Sequence, residues 1–145
     1  MKKTEAIVQK LITVIDNKDI LEAACGGAEF SNAASAYARS VSCIDLDDSR
    51  LHLADPNTVQ FEIMDAAQMR YADETFDAVF LYNAFAHVQS QWEAIETECR
   101  RVLKPDGSIY IIATWKVDIA LMRDLFGDRA EWNGSFLIVR IDKNR

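Results

Sequence analysis

Glycine and proline are scarce in this chain of 145 residues, five Gly and two Pro. That scarcity excludes a collagen-like repeat, a flexible linker array and a low-complexity segment. Basic residues are also in short supply: 16 Lys and Arg stand against 23 Asp and Glu, a formal charge of −7. Counterion release from phosphates is therefore no driving force, and neither nucleic acid nor an anionic membrane surface is an expected partner. The longest apolar runs fall far short of the roughly 18 residues a bilayer span requires. Cys25, Cys43 and Cys99 are an odd number without a C-x-x-C pair, a spacing that suits neither a disulfide framework nor a zinc site. A reducing, cytoplasmic setting is expected. The opening MKKTEAIVQKLITVIDNK has basic residues before an apolar stretch, but Glu5, Gln9 and Asp16 interrupt it, so it is not expected to be a signal peptide.

What is present is a globular composition, 50% apolar and 27% charged, at a length that fits one domain over residues 1–145. Ile7, Val8, Leu11, Ile12, Val14 and Ile15 recur at helical spacing behind Thr4, which predicts a helix over 4–16 capped by Thr4. Asp19 to Ala23 reads as a buried strand, Ala24 to Ala28 as a small-residue turn, and Phe30, Ala33, Ala34 and Tyr37 as the inner face of a helix. The pattern repeats as strand Val41 to Asp45, short helix Asp48 to Ala54, strand Thr58 to Ile63 and strand Phe76 to Tyr82. Ser90 with Glu93 predicts a capping box for a helix whose inner stripe is Ile95, Cys99, Val102 and Leu103, stopped by Lys104-Pro105-Asp106-Gly107. Ile109 to Thr114 is a further strand, and Asp118 is the expected cap of a helix through Phe126. Asn133-Gly134 signals a hairpin pairing 129–132 with 135–141. Alternating strands and helices, with strands too apolar for a one-sided sheet, give an α/β fold: Rossmann-like, doubly wound, a mostly parallel sheet with an antiparallel C-terminal hairpin at the edge.

In such a sheet ligands sit outside the carboxyl ends of the strands, where the topology reverses. Those ends offer Glu22 and the Ala24 to Ala28 loop, Asp45, Asp65 with Ala66, and Asn83. Small residues between strand and helix let a ligand approach the backbone, although small residues there also serve plain helix–strand packing. Asp45 lies 23 positions after Glu22, near the roughly 20-residue offset at which an acid reaches ribose hydroxyls. Residues 41–80 hold nine acids against Arg50 and Arg70 while the remainder balances at 14 against 14, so this stretch carries the whole net charge.

These residues carry a resemblance. Ile20-Leu21-Glu22-Ala23-Ala24-Cys25-Gly26-Gly27-Ala28, then Cys43-Ile44-Asp45-Leu46, then Met64-Asp65-Ala66-Ala67-Gln68-Met69 with Asp73 to Val79, and Arg101 to Gly107, resemble in order the motifs of class I S-adenosylmethionine-dependent methyltransferases. Within that class the pattern is similar to the small-molecule, type 11 group that includes quinone-biosynthesis methyltransferases, in a minimal form. The resemblance covers about residues 19–114. It implies S-adenosylmethionine as cofactor and a small-molecule methyl acceptor as partner. By it, the backbone of Ala24 and Gly26 would lie under the methionine part, with Glu22 near the ammonium end. Asp45 would accept the ribose hydroxyls, Leu46 would contact one adenine face, Asp65 and Ala66 would meet the adenine edge, and Asn83 backbone would lie near the methionine moiety.

The sequence departs from that family where E-x-G-x-G-x-G has become Glu22-x-Ala24-x-Gly26-x-Ala28. If a position there needs positive φ, alanine costs on the order of 1 kcal/mol. Methyl transfer needs in-line positioning and, for some acceptors, a base. His87 is the candidate base, against the plainer reading of a surface histidine. Trp115 is a candidate wall of the acceptor pocket, and Cys25 reads as a small apolar filler. A homodimer or a partner chain is expected to complete the acceptor pocket. The alternative is a catalytically silent protein of the same fold that binds or stabilises a partner; a dinucleotide-dependent oxidoreductase lacks its G-x-G-x-x-G here.

Overall fold

The structure, a computed structural model, describes residues 2–144. Among them β1 (Asp19–Ala23), β2 (Ser40–Asp45), β3 (Gln60–Ile63), β4 (Phe76–Tyr82) and β5 (Leu103–Ala113) pair in parallel, while β6 (Ala130–Asn133) and β7 (Phe136–Asp142) form an antiparallel hairpin. They make one sheet in the order β3-β2-β1-β4-β5-β7-β6, with β7 antiparallel to β5. Both faces are covered, which is why central strands such as β4, FDAVFLY, are apolar at successive positions instead of alternating. On one face α1 (Lys3–Lys10), α2 (Ile12–Ile15) and α3 (Glu29–Ala34) bury Ile7, Val8, Ile15 and Phe30 against Ile20, Phe80 and Phe136. On the other, α4 (Phe85–Val88), α5 (Trp92–Val102) and α6 (Lys116–Phe126) bury Trp92, Ile95, Val102 and Met122 against Leu21, Val79 and Ile111. The chain winds from β1 outward to β2 and β3, then returns to place β4 on the other flank of β1. The crevice created by that reversal lies at the carboxyl ends of β1 and β4. No helix of the described residues is long and apolar enough to cross a membrane.

Several local expectations are corrected. The first helix is two: Leu11 leaves the helical region at φ −104° and ψ 15°, separating α1 from α2. Thr4 is not a cap; Lys2 occupies that position, and Thr4 is buried in the first turn. Ser90 and Glu93 form no capping box, because α5 starts at Trp92 behind Gln91, without a side-chain cap. Asp118 lies inside α6 and is buried, where its Oδ1 accepts the Ala86 N–H at 2.8 Å and so ties α6 to α4. The helix expected over Asp48 to Ala54 is absent. The His52 N–H donates to Gly27 O at 3.3 Å, Asn32 Nδ2 donates to His52 O at 2.7 Å, and the Ala54 N–H donates to Asn32 Oδ1 at 3.0 Å. The segment's backbone groups are thus bonded to the β1–α3 turn and are not free to bond one another as a helix. The hairpin is right in kind and late by one residue, with Gly134 at φ 64° following Asn133.

β5 begins directly after α5 at Leu103, and inside it Gly107 lies against the start of β4. A Cβ there would stand 2.8 Å from Asp77 O and 2.8 Å from Leu103 Cδ2. Gly107→Ala is expected to lower stability by about 1–3 kcal/mol through this overlap with backbone. Thermal denaturation checks it: an unshifted midpoint would mean that the β4–β5 contact gives way freely.

Candidate functional site

The turn after β1 holds three left-handed residues at alternate positions, Ala24 at φ 56°, Gly26 at φ 53° and Ala28 at φ 64°. These are the positions where the expected motif has glycine. Each alanine in this region costs roughly 1–2 kcal/mol, and something must hold the turn in it. The Cys25 N–H donates to Ile44 O at 2.9 Å and the Ala28 N–H to Cys25 O at 2.8 Å. The Gly26 N–H donates to Asp45 Oδ2 at 2.7 Å, while the Leu46 N–H donates to Oδ1 of the same carboxylate at 2.7 Å. Asp45, at the end of β2, therefore clamps the turn. The Ala28 methyl is fully buried beside Phe30, where its burial returns about 0.8 kcal/mol; Ala24 lines both lobes of the cleft.

Glu22 lies beneath the turn, 1% exposed, and its Oε1 accepts both the Ser31 N–H at 3.0 Å and the Ser31 hydroxyl at 2.7 Å. Burial pushes its carboxyl up to about 8, against the two Ser31 hydrogen bonds that favour the charged form. It does not line the cavity that its neighbours form; the side chain points beneath the turn, toward Ser31.

The cleft has two lobes that share Ala24, Arg50 and His87. The larger, about 250 Å³, lies between the ends of β2 and β3 and α4–α5; Asp45, Leu46, Asp65 and Ala66 face it, with Met64, Val88 and Ile95 as apolar wall. Leu46 is exposed, and Asp65 begins a turn in which its Oδ1 accepts the Ala67 N–H at 2.8 Å. The smaller lobe, about 90 Å³, runs over Cys25, Gly26 and Gly27 to Tyr82, Asn83 and Trp115. Asn83 adopts φ 51°; its Oδ1 accepts the Thr114 N–H at 2.7 Å and its Nδ2 donates to Thr114 Oγ1 at 2.9 Å, which commits the side chain to β5. His87 is exposed on the wall of both lobes, and Trp115 is half exposed at the mouth. A wider, shallower groove of about 780 Å³ runs along α5 past Glu93 and Glu98 and meets the cleft only at Asp65 and Gln91.

Of the residues expected from sequence, Ala24, Gly26, Asp45, Leu46, Asp65, Ala66, Asn83 and His87 converge on this cleft and Glu22 does not. Two features escape sequence reading. Arg50 borders both lobes; that it is the one Lys or Arg between residues 41 and 69 was the available signal. Thr4 joins Tyr82 to Glu29 on the rim: its hydroxyl donates to Glu29 Oε1 at 3.1 Å and lies 2.8 Å from Tyr82 Oη. A carboxylate only accepts, so the Thr4 proton points to Glu29 and the phenol donates to Thr4.

A seven-stranded, doubly wound sheet with a glycine-type turn after β1 and an acid at the end of β2 is the class I methyltransferase architecture. The methyltransferase domain family model matches residues 21–111, more than half of the chain, and the chain belongs to that family, whose cofactor is S-adenosylmethionine. It is 24% identical over 125 residues to a probable S-adenosylmethionine-dependent methyltransferase of Mycobacterium tuberculosis, covering 85% of this chain and 45% of that one. The chain thus spans less than half the length of the curated relatives it matches. Its fold is similar to a SAM-dependent methyltransferase structure from Aquifex aeolicus, TM-score 0.73 at 18% identity, over 95% of this chain and 88% of that one. It is also similar to the cyclase SpnF, TM-score 0.65 at 20% identity, over 75% and 43%.

Two outcomes follow from the turn. Between the ordinary carboxylate range and about pH 8 the folded protein keeps a proton on Glu22 that the unfolded chain has lost, so stability falls as pH rises through that window, by at most about 1.4 kcal/mol per pH unit for one proton. Glu22→Gln keeps an acceptor for Ser31 and is expected to flatten this slope in urea titrations at pH 5 to 8; an unchanged slope would remove Glu22 as its source. Separately, Ala24→Gly is expected to raise stability by about 0.5–1 kcal/mol, strain relief less the added freedom of the unfolded chain. Ala28→Gly should show no such gain, because it also strips a buried methyl. Equal shifts in urea midpoint for the two would contradict this account.

Proposed function

We propose that the cleft binds S-adenosylmethionine and that the chain transfers its methyl group to a small-molecule acceptor. The observation that carries this reading is the convergence of Asp45 and Asp65 on one cavity with a backbone-lined turn between them. The residues suit the group. The Asp45 oxygens each accept one backbone N–H and retain lone pairs for ribose hydroxyls. Leu46, Ala66, Val88 and Ile95 give the larger lobe apolar surface for a flat adenine, with Asp65 among its polar lining. The backbone of Ala24, Gly26 and Asn83 lines the small lobe, where the methionine part would lie.

When bound, the cofactor supplies a methyl group on a sulfonium, which leaves as a neutral thioether after in-line attack. The chain's own part is orientation and solvent exclusion, and His87 takes the proton from acceptors that release one. An aromatic acceptor of the kind handled by the quinone-biosynthesis group fits best, since Trp115 offers a half-exposed indole face at the cleft mouth. A second copy of the chain, or another protein, closing the cleft on the Trp115 side is the matching reading of assembly. We read the described fold as one domain and its setting as cytoplasmic.

Calorimetric titration tests the reading. Wild type should bind S-adenosylmethionine and S-adenosylhomocysteine, and Asp45→Asn should weaken both by about 1.5–3 kcal/mol as charge-assisted hydrogen bonds are lost. Undiminished affinity in a folded Asp45→Asn protein would place the cofactor elsewhere. Binding without transfer to any of a panel of phenols, quinols and amines would favour the catalytically silent alternative.

A further inference from the structure

Arg50 is placed with care by the fold. The hydrogen bonds that hold residues 52 and 54 to Gly27 and Asn32 lay its segment across the β1–α3 turn. Its guanidinium lies over Gly26: a Cβ on that glycine would stand 3.2 Å from Arg50 Nη2 and 3.4 Å from Cζ. At Gly27 a Cβ would stand 3.3 Å from the Arg50 carbonyl. Two glycines therefore leave room for one arginine, at the point where the two lobes of the cleft meet.

In that position Arg50 forms no ion pair within 4.0 Å among the described residues. The neighbouring Asp47 has its Oδ1 engaged by the Ser49 hydroxyl at 2.6 Å and the Ser49 N–H at 2.9 Å; these bonds, with a lesser attraction from Arg50, hold its carboxyl below the usual range. The guanidinium's donors face a cleft whose other charged walls, Asp45, Asp47, Asp65 and Glu29, are acids. An anion entering this cleft is repelled by them. The Cys25, Gly26 and Ala28 N–H groups of the turn are donated within the protein, so the turn has few amide donors to offer an anion.

We propose, on the reading that S-adenosylmethionine occupies this cleft, that Arg50 is the receptor for the carboxylate of the cofactor's amino-acid part. The cofactor is cationic at its sulfonium and ammonium, which suit the acids, and anionic at that one group, which only Arg50 among the cleft's arginines and lysines can pair with. A planar fork matches a carboxylate through two parallel hydrogen bonds. The side chain is exposed, and a long arginine stem can turn from its place over Gly26 as the ligand enters. The pairing makes Arg50 a discriminator: it separates the intact cofactor and its demethylated product from adenosine derivatives that lack the carboxylate.

The test is calorimetry with two probes, S-adenosylhomocysteine and its decarboxylated analogue, on wild type, Arg50→Ala and Arg50→Lys, with circular dichroism confirming the fold. Wild type should bind S-adenosylhomocysteine at least about tenfold more tightly than the analogue. Arg50→Ala should lose about 10- to 100-fold on S-adenosylhomocysteine and little on the analogue, closing that gap, while Arg50→Lys should recover part of it. Equal losses on both probes, no loss, or tighter binding of S-adenosylhomocysteine by Arg50→Ala would overturn the assignment, the last by showing that the guanidinium obstructs the cleft. Wild type binding neither probe would instead defeat the cofactor reading on which the assignment rests.

Discussion

A carboxyl group buried under a turn must be hydrogen-bonded, because leaving it unpaired away from water costs several kcal/mol. Glu22 meets that condition with Ser31, and the pairing has consequences beyond itself. It binds the end of β1 to the first turn of α3, so the residues between them have no choice but to fold back tightly, through three left-handed positions. The tight turn brings the Gly26 N–H to Asp45 and the Gly27 carbonyl to His52. Those contacts fix the end of β2 and the segment beyond it, and the cleft's floor and one wall follow. A neutral Glu22, held protonated by burial up to about pH 8, suits this supporting role, since it adds no buried charge beneath a cleft already rich in acids.

The sheet was legible because its signal is local. Strands buried on both faces read as short apolar runs, and β1, β2, β4 and the hairpin fall within a residue or so of their expected bounds. The elements that went wrong are those decided by partners distant in sequence. Residues 48–54 have the apolar spacing of a short helix, but a few residues gain little from closing a helix on their own, and the bonds to Gly27 and Asn32 outweigh it. Thr4 and Asp118 are good capping residue types; each is instead drawn to a partner across the fold, Tyr82 in one case and the Ala86 N–H in the other.

The same division applies to the cleft. Residues at strand ends were found because an end of a parallel strand is a predictable place. Arg50 was visible as the lone base of an acidic run, yet nothing local says that it crosses the turn; that depends on the missing helix. The family resemblance points to Glu22 as an acid near the cleft, but only the fold shows that its carboxyl is buried and bonded to Ser31 beneath the turn.

Fold likeness alone leaves the reaction open, as the similarity to both a methyltransferase and the cyclase SpnF illustrates. What bears on reaction is whether the altered turn still presents its backbone to a ligand. Two alanines in the left-handed region cost roughly 1–2 kcal/mol each, and the buried Ala28 methyl returns about 0.8 of that. Against this stand the two hydrogen bonds of the Asp45 carboxylate, about 1.5–3 kcal/mol each, and the Ser31 bonds to neutral Glu22, about 0.5–1.5 kcal/mol each. The clamp outweighs the strain. The substitution therefore shifts the conformational cost onto the acids that hold the turn and leaves the turn's left-handed backbone at residues 24, 26 and 28 as the glycine pattern has it.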